Sequence, residues 1–324
     1  MSTTVLPLES YRLAQYAVQV PCYICEQGNA FDAELCRHCQ APMALARQMD
    51  DKTSPPQMIA TIGSSGVGKT VYLGMLLDML SHMPDQMQIV ARGAFSVALQ
   101  QNAMQALARC EFPAKTPNEP DRWNWVHCQV RNPKVKDPFE LIMPDVAGEA
   151  LLEEVEHPFS YLAIRSFLTK CAGAMILIDS TNLSSSRQAH DYFTLKLLTY
   201  LSELSNDEAS SWRNRPVALI FSKADQCEDC FDNPQVYAQR HAASLFQFCR
   251  ERFRHFRFFA AGVAGTTAMR LVPGGGRVRA PLRVEPRGIV EPFKWIVGEV
   301  VAQHQQPSGW GILKQRSLRV DRWD

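Results

Sequence analysis

Eight consecutive residues, Gly63-Ser64-Ser65-Gly66-Val67-Gly68-Lys69-Thr70, constrain this chain more than any other stretch. Glycines at 63, 66 and 68 permit a turn whose backbone N–H groups face one concavity without side chains in the way, which is what a polyphosphate requires. The apolar run Met58 to Ile62 ahead of the turn reads as a strand. Behind it, Tyr72, Met75, Leu76, Met79 and Leu80 fall at i, i+3, i+4, i+7 and i+8, so a buried helix starts where the turn ends. Its positive N-terminus then faces the same concavity. Lys69 is placed to reach the outer phosphates as a point charge, and the Thr70 hydroxyl to ligate Mg2+. A chance Gly/Ser-rich turn would need neither the strand nor the helix.

The rest of the chain supplies a sheet for this loop to sit on. Further short apolar runs, Trp125 to Arg131, Phe139 to Met143, Ala174 to Asp179, Val217 to Phe221 and Phe256 to Ala260, alternate with helical patterns. Phe95, Leu99, Ala103 and Leu107 mark one helix, Phe193 to Leu204 another, and Phe293 to Val301 a last one. Strand and helix in alternation predict an α/β fold with a mostly parallel, six-stranded sheet flanked by helices. The expected organisation is an N-terminal segment at 1–20, a cysteine-rich module at 21–43, a polar linker at 44–57 ending in Thr53-Ser-Pro-Pro56, a main domain at 58–303 and a tail at 304–324. With 46% hydrophobic and 21% charged residues the chain can bury an ordinary core, and a formal charge of +1 gives no global pull toward nucleic acid or anionic membrane. The longest apolar run, Ala172 to Ile178, is strand-sized, so no membrane span is expected. Met1 to Val20 has no basic start followed by an apolar run, so a cytoplasmic address is expected.

Two further motifs follow strands. Pro144-Asp145-Val146-Ala147-Gly148-Glu149 can hold Mg2+ through Asp145, and Gly148 lets its backbone N–H approach a γ-phosphate. Ser222-Lys223-Ala224-Asp225 carries a carboxylate that accepts both the N1–H and the exocyclic amine of guanine. Adenine presents an acceptor at N1 and would leave that carboxylate unpaired. Lys223 would lay its stem over the base, and the Ala261 N–H could meet the guanine carbonyl oxygen.

Phosphate loop, DxxG element and SKAD element in this order resemble the translation-factor-related (TRAFAC) class of P-loop GTPases, which includes the small Ras-like switches, over about 58–303. Within that class the chain resembles the bacterial double-GTPase group. The resemblance implies a P-loop NTPase fold, GTP or GDP as ligand with Mg2+, and a switch that hydrolyses GTP to GDP and phosphate. It also implies a protein partner that senses the switch segments, with a second GTPase as one candidate in a paired prokaryotic conflict system. Three departures matter. The 75 positions between Thr70 and Asp145 leave room for an extra helix at about 94–110 and a remodelled first switch, in which Thr116 of Phe112-Pro-Ala-Lys-Thr116-Pro is the candidate contact for Mg2+ and the γ-phosphate. Glu149 stands where many small GTPases carry a water-positioning glutamine, so the intrinsic rate is expected to be slow. Ser222 replaces an asparagine, which removes an amide that would brace the phosphate loop. An ATPase, or a non-hydrolysing scaffold that recruits partners through its cysteine module, is the competing reading.

That module is Cys22-x2-Cys25-x10-Cys36-x2-Cys39, two knuckles whose four thiolates can close a tetrahedral Zn2+ site with no open position for catalysis. About twenty residues bury too little to fold alone, so metal would supply the folding energy. The stretch resembles zinc ribbons of the double-zinc-ribbon type, with Asn29 and Ala33 also in pattern. Cys227 and Cys230 form a second pair without a partner pair and read as a loop accident. Arg270, Arg277, Arg279, Arg283 and Arg287 crowd a Gly/Pro-rich loop at 270–287, which reads either as plain solvated loop or as a surface for an anionic or protein partner, nucleic acid included.

Overall fold

The computed structural model describes residues 19–49, 56–83, 87–132, 138–184, 189–204, 211–271 and 276–305. Residues 1–18 of the expected N-terminal segment, 50–55 of the expected linker, 306–324 of the expected tail and the Pro273 to Gly275 part of the arginine-rich loop lie outside them.

Two short strands, β1 (Gln19–Pro21) and β2 (Gly28–Ala30), open the chain as an antiparallel pair. The main sheet follows: β3 (Gln57–Gly63), β4 (Gln88–Arg92), β5 (Asn124–Arg131), β6 (Phe139–Asp145), β7 (Gly173–Asp179), β8 (Val217–Ser222) and β9 (Phe256–Ala260). Its order is β4-β5-β6-β3-β7-β8-β9. β3 pairs in parallel with β6 and β7, and β7-β8-β9 continue in parallel, whereas β4-β5-β6 are antiparallel. The six expected strands are all present, and the seventh, β4, is an addition. It escaped the apolar-run criterion because it lies at the sheet edge with only Ile89 fully buried. β7 and β8 are buried along their whole length, as expected for parallel strands covered on both faces.

Alternation sorts the core into two halves. Met58, Ala60, Ile62, Ala174, Ile176 and Ile178 point to one cluster, and Ile59, Met175 and Leu177 to the other. The second cluster holds the helices Lys69–Ser81, Gly93–Ala108 and Val290–Gln305. A Cβ on Gly74 would lie 2.3 Å from the Ala103 Cβ, so the helix at 93–108, whose expected span was 94–110, seats directly on the helix that follows the phosphate loop. Among the described residues no helix is long and apolar enough to cross a membrane.

Two expectations need correction. Residues 44–57 are not simply a linker: Ala44–Met49 is a helix, and Met43 and Leu45 join Cys22, Ile24, Cys36 and Cys39 in the same buried cluster as Met58, Trp123 and Trp125. The Tyr23 hydroxyl donates to Pro56 O at 2.8 Å, and Lys170 Nζ pairs with Glu26 at 2.7 Å. The cysteine module is thus docked on the main domain, because its own apolar side chains have nowhere else to be buried. The second correction concerns the arginine-rich loop. Flanking its tip are β10 (Gly262–Leu271) and β11 (Arg277–Arg287), a bulged antiparallel hairpin. Pro281 and Pro286 hid it from strand criteria, and proline is tolerated there because the ribbon pairs with no further strand among the described residues.

Candidate nucleotide site and cysteine cluster

The C-terminal ends of β3, β6, β7 and β8 converge on one cavity of about 770 Å3, within the range of small-molecule sites. At its phosphate end the loop at 63–70 turns through Gly66 and Gly68, with φ of 73° and 97° that side chains rarely adopt. Ser64, Ser65 and Val67 complete the turn, with Val67 buried beneath it. Lys69 opens the next helix, and its Nζ donates to Gly63 O at 3.0 Å and Ser64 O at 2.9 Å. Burial lowers its pKa to about 8, against the opposing pull of Asp145 and Glu149.

Three oxygens from remote segments meet beside this lysine. Thr70 Oγ1 and Thr116 Oγ1 each donate to Asp145 Oδ2 at 3.0 Å and lie 3.1 Å from each other. Asp145 is wholly buried, and its Oδ1 has no hydrogen-bond partner among the described residues. Burial accordingly pushes its pKa up, while Lys69, Thr70, Thr116 and Asn124 pull it down. A buried, incompletely satisfied carboxylate flanked by two hydroxyls is an all-oxygen donor set, which fits a hard divalent cation such as Mg2+.

Gly148 lies so close to the phosphate loop that a Cβ would meet Ser65 N at 2.4 Å. Glu149, one residue on, faces outward. Its Oε1 accepts from Ser65 Oγ at 3.1 Å and pairs with Lys115 Nζ at 3.3 Å, and these contacts hold its pKa below the usual carboxylate value.

At the other end of the cavity lies the base-recognition candidate. Asp225 is half-buried and its pKa is raised, chiefly by burial. A Cβ on Gly262 would come within 2.7 Å of Asp225 Oδ1, so glycine there keeps the carboxylate unobstructed. Lys223 has a left-handed backbone (φ 56°) and sends its Nζ to Asp179 Oδ2 at 2.6 Å. Asp179 was missed in the sequence. It reads as the polar end of an apolar strand, and only the register pairing Asp179 with Ser222 brings it to Lys223. The Ser222 hydroxyl reaches Ile178 O at 3.2 Å. The role expected of Ala261 is not available in this conformation: its N–H already donates to Phe221 O at 2.8 Å, closing the β8–β9 end, although the residue lines the cavity. Thr267 and Arg279 of the hairpin form a further wall, and Arg279 donates to Gln226 Oε1 beside Asp225.

The four thiol sulfurs of Cys22, Cys25, Cys36 and Cys39 lie within 4.8 Å of one another. The Cys22–Cys39 and Cys25–Cys36 separations are 3.7 and 3.5 Å, against roughly 3.8 Å between ligands of a tetrahedral ion with Zn–S near 2.3 Å. The two knuckles repeat one another. Cys22 N bonds Gln27 O and Glu26 N bonds Cys22 O, just as Cys36 N bonds Ala41 O and Gln40 N bonds Cys36 O, all at 2.9 Å. Glu26 and Gln40 carry the positive φ of each turn. None of the ten cysteines is in a disulfide. Cys227 instead meets the Tyr237 hydroxyl at 3.3 Å, and among the described residues Cys227 and Cys230 gather no third ligand.

This arrangement defines a P-loop nucleotide-binding domain of the GTPase kind. Residues 60–195 match the family model Double-GTPase 1, and the chain resembles that group, with a zinc-ribbon-like cysteine cluster at its N-terminus. No curated protein sequence matches. Among solved structures, one described as a nucleolar GTP-binding protein 1 from Plasmodium falciparum is 10% identical, covering 78% of this chain and 91% of its own, with a TM-score of 0.41. The GTP-bound GTPase-like domain of S. cerevisiae Ski7 is 14% identical over 78% of this chain and 51% of its own, with a TM-score of 0.42. The G domain of the T. maritima FeoB iron transporter is 13% identical over 75% of this chain and 98% of its own, with a TM-score of 0.34.

Proposed function

We propose that the protein binds GTP and GDP with Mg2+ in the cavity between Lys69 and Asp225, and that it hydrolyses GTP to GDP and phosphate. The observation that carries this reading is the meeting of Thr70, Thr116 and Asp145 within about 3 Å of one another beside Lys69, from segments 46 and 75 positions apart. Mg2+, when bound, supplies charge that neutralises phosphate oxygens. Thr70, Asp145 and Thr116 would hold it. Lys69 exchanges two loop carbonyls for phosphate oxygens, a stronger charge-assisted bond. Gly148 brings a backbone N–H to the γ-phosphate end, and Asp225 selects guanine by accepting from it twice. Loss of the γ-phosphate would release Thr116 and Gly148 together, which is how a partner could read the state.

Isothermal titration with GTP, GDP and ATP, with and without Mg2+, together with a single-turnover hydrolysis assay, tests the reading. Equal affinity for GTP and ATP would overturn it. A second reading, nucleotide binding without turnover, is favoured by one observation: the Glu149 carboxylate sits on Ser65 of the phosphate loop, where it opposes incoming anions. We further propose that Cys22, Cys25, Cys36 and Cys39 hold a structural Zn2+. From the resemblance to the double-GTPase group, we propose that the partner is a protein, with a second GTPase the first candidate to test. Leu152, Phe159 and Leu162, exposed in the segment after Gly148, offer such a partner apolar side chains.

A further inference from the structure

We propose that Lys115 is the chain's own charge-neutralising group for the γ-phosphate, held in readiness by Glu149. The inference rests on the proposed hydrolysis of GTP and deepens it. Four cations line the cavity among the described residues: Lys69, Lys115, Lys223 and Arg279. Lys223 is committed to Asp179 and Arg279 to Gln226, both at the base end. At the phosphate end Lys69 stands against two acids, Asp145 and Glu149, before any phosphate has entered. A triphosphate adds several more negative charges, and transfer spreads charge over the γ-phosphoryl oxygens.

Lys115 is the remaining cation at that end, and its position is set from both sides. Thr116, its neighbour in sequence, is fixed on Thr70 and Asp145. Its Nζ lies 3.3 Å from the Glu149 oxygen that also accepts from Ser65 of the phosphate loop. Lys115 and Glu149 are 75% and 53% exposed, so the ammonium can move from carboxylate to phosphate without a burial cost. Glu149 is then a positioning residue that parks the lysine over the loop and is itself neutralised by it. The reaction is unchanged in its balance. A water oxygen bonds to the γ-phosphorus, the bond from that phosphorus to the β–γ bridging oxygen breaks, and GDP leaves with the electron pair. The water proton passes to the phosphate product or to solvent, and Lys115 keeps its proton and supplies charge throughout.

The test is single-turnover hydrolysis of GTP by the full chain with Mg2+, alongside GTP and GDP affinities. Lys115→Ala should lower the rate by about tenfold or more, short of the loss of a preorganised and water-excluded donor because this ammonium is exposed and moves to the phosphate. GDP affinity should change less than about twofold, and Lys115→Arg should restore most of the rate, a split that a structural role would not produce. In a Glu149→Gln background the Lys115→Ala change should cost less of the rate than it does in wild type, because the carboxylate that positions the lysine is gone. A Lys115→Ala protein that hydrolyses GTP at the wild-type rate overturns this assignment alone. A wild type that binds GTP tightly but never hydrolyses it overturns the proposed reaction and this role with it.

Discussion

Two clusters of candidate metal ligands sit in this chain and are built on opposite plans. The four thiols at 22–39 come from one short segment, and their sulfurs enclose the space between them. The oxygens of Thr70, Thr116 and Asp145 come from three segments, and one buried carboxylate oxygen has no hydrogen-bond partner among the described residues. The first plan suits a soft ion that replaces a core; the second suits a hard ion that arrives with a ligand. The difference teaches that the same fold keeps one site for stability and leaves the other under electrostatic tension until it is filled. Removing a ligand should therefore have opposite effects on the stability of the protein without nucleotide.

The largest effect is expected at the thiols. Cys36→Ser should abolish stoichiometric zinc by elemental analysis and cost about 4–5 kcal/mol of stability, in the range of lost metal sites. Because Ile24, Met43 and Leu45 share a core with Trp123 and Trp125, the loss should appear as one lowered thermal transition for the whole chain. Two separate transitions would show that the module unfolds alone and that its docking contributes little.

Asp225→Asn moves the test to selectivity. An amide meets the N1–H and C2 carbonyl of xanthine, whereas guanine presents two donors. GTP binding should weaken by about 2–4 kcal/mol, roughly 30- to 1000-fold, XTP should gain, and ATP should barely change. Titration calorimetry with the three nucleotides reads this directly. GTP affinity equal to wild type would reduce the Ser222 to Asp225 segment to an ordinary loop.

At the oxygen cluster the sign reverses. Asp145 is buried with its pKa raised above the unfolded value, so below the unfolded pKa this group costs nothing. As pH rises through the raised folded value the native state holds a proton that the unfolded chain has lost, and stability falls. Asp145→Asn should remove that penalty. Without Mg2+ and nucleotide, the variant should melt at a higher temperature than wild type at neutral pH, and its melting should depend less on pH. With millimolar Mg2+ it should bind GTP about 30-fold more weakly, and in EDTA the two proteins should bind alike. A variant that is less stable at every pH would mean that Asp145 is structural, and the contrast between the clusters would fail.

The contrast also explains what could be read from the residues in order. The phosphate loop, the element at Asp145 to Gly148, the SKAD element and the cysteine pairs are each local, and a few adjacent positions carry their chemistry. Thr116 apart, the long-range pieces were not legible. Asp179 acquires its role from the register of β7 on β8. Lys115 acquires its role from a turn that brings it to a residue 34 positions away. The Ala261 amide is taken by Phe221 O, and the sequence does not say which strand-end carbonyl takes it. The docking of the cysteine module was hidden behind polar residues at 44–57, whose few apolar side chains, Leu45 above all, do the packing.

The smallest effect concerns the hairpin β10–β11, which the cavity shares with the loop carrying Thr116. Arg270 Nη2 reaches Glu111 Oε1 at 2.8 Å, a contact between residues 159 positions apart that ties the hairpin to that loop. Both side chains are half exposed, so the pair itself is worth at most about 1 kcal/mol and is screened by salt. Its consequence should be kinetic. Arg270→Ala should leave the melting temperature nearly unchanged but raise the dissociation rate of a fluorescent GTP analogue by up to about fivefold at low salt. The difference from wild type should shrink at about 0.5 M salt, where the Debye length is only a few ångströms. A dissociation rate unaffected at either salt would make the ion pair an ordinary surface contact and the hairpin a fixed wall. An increase that persists at high salt would point instead to packing along the Arg270 stem, since screening removes the charge and leaves the methylenes in place.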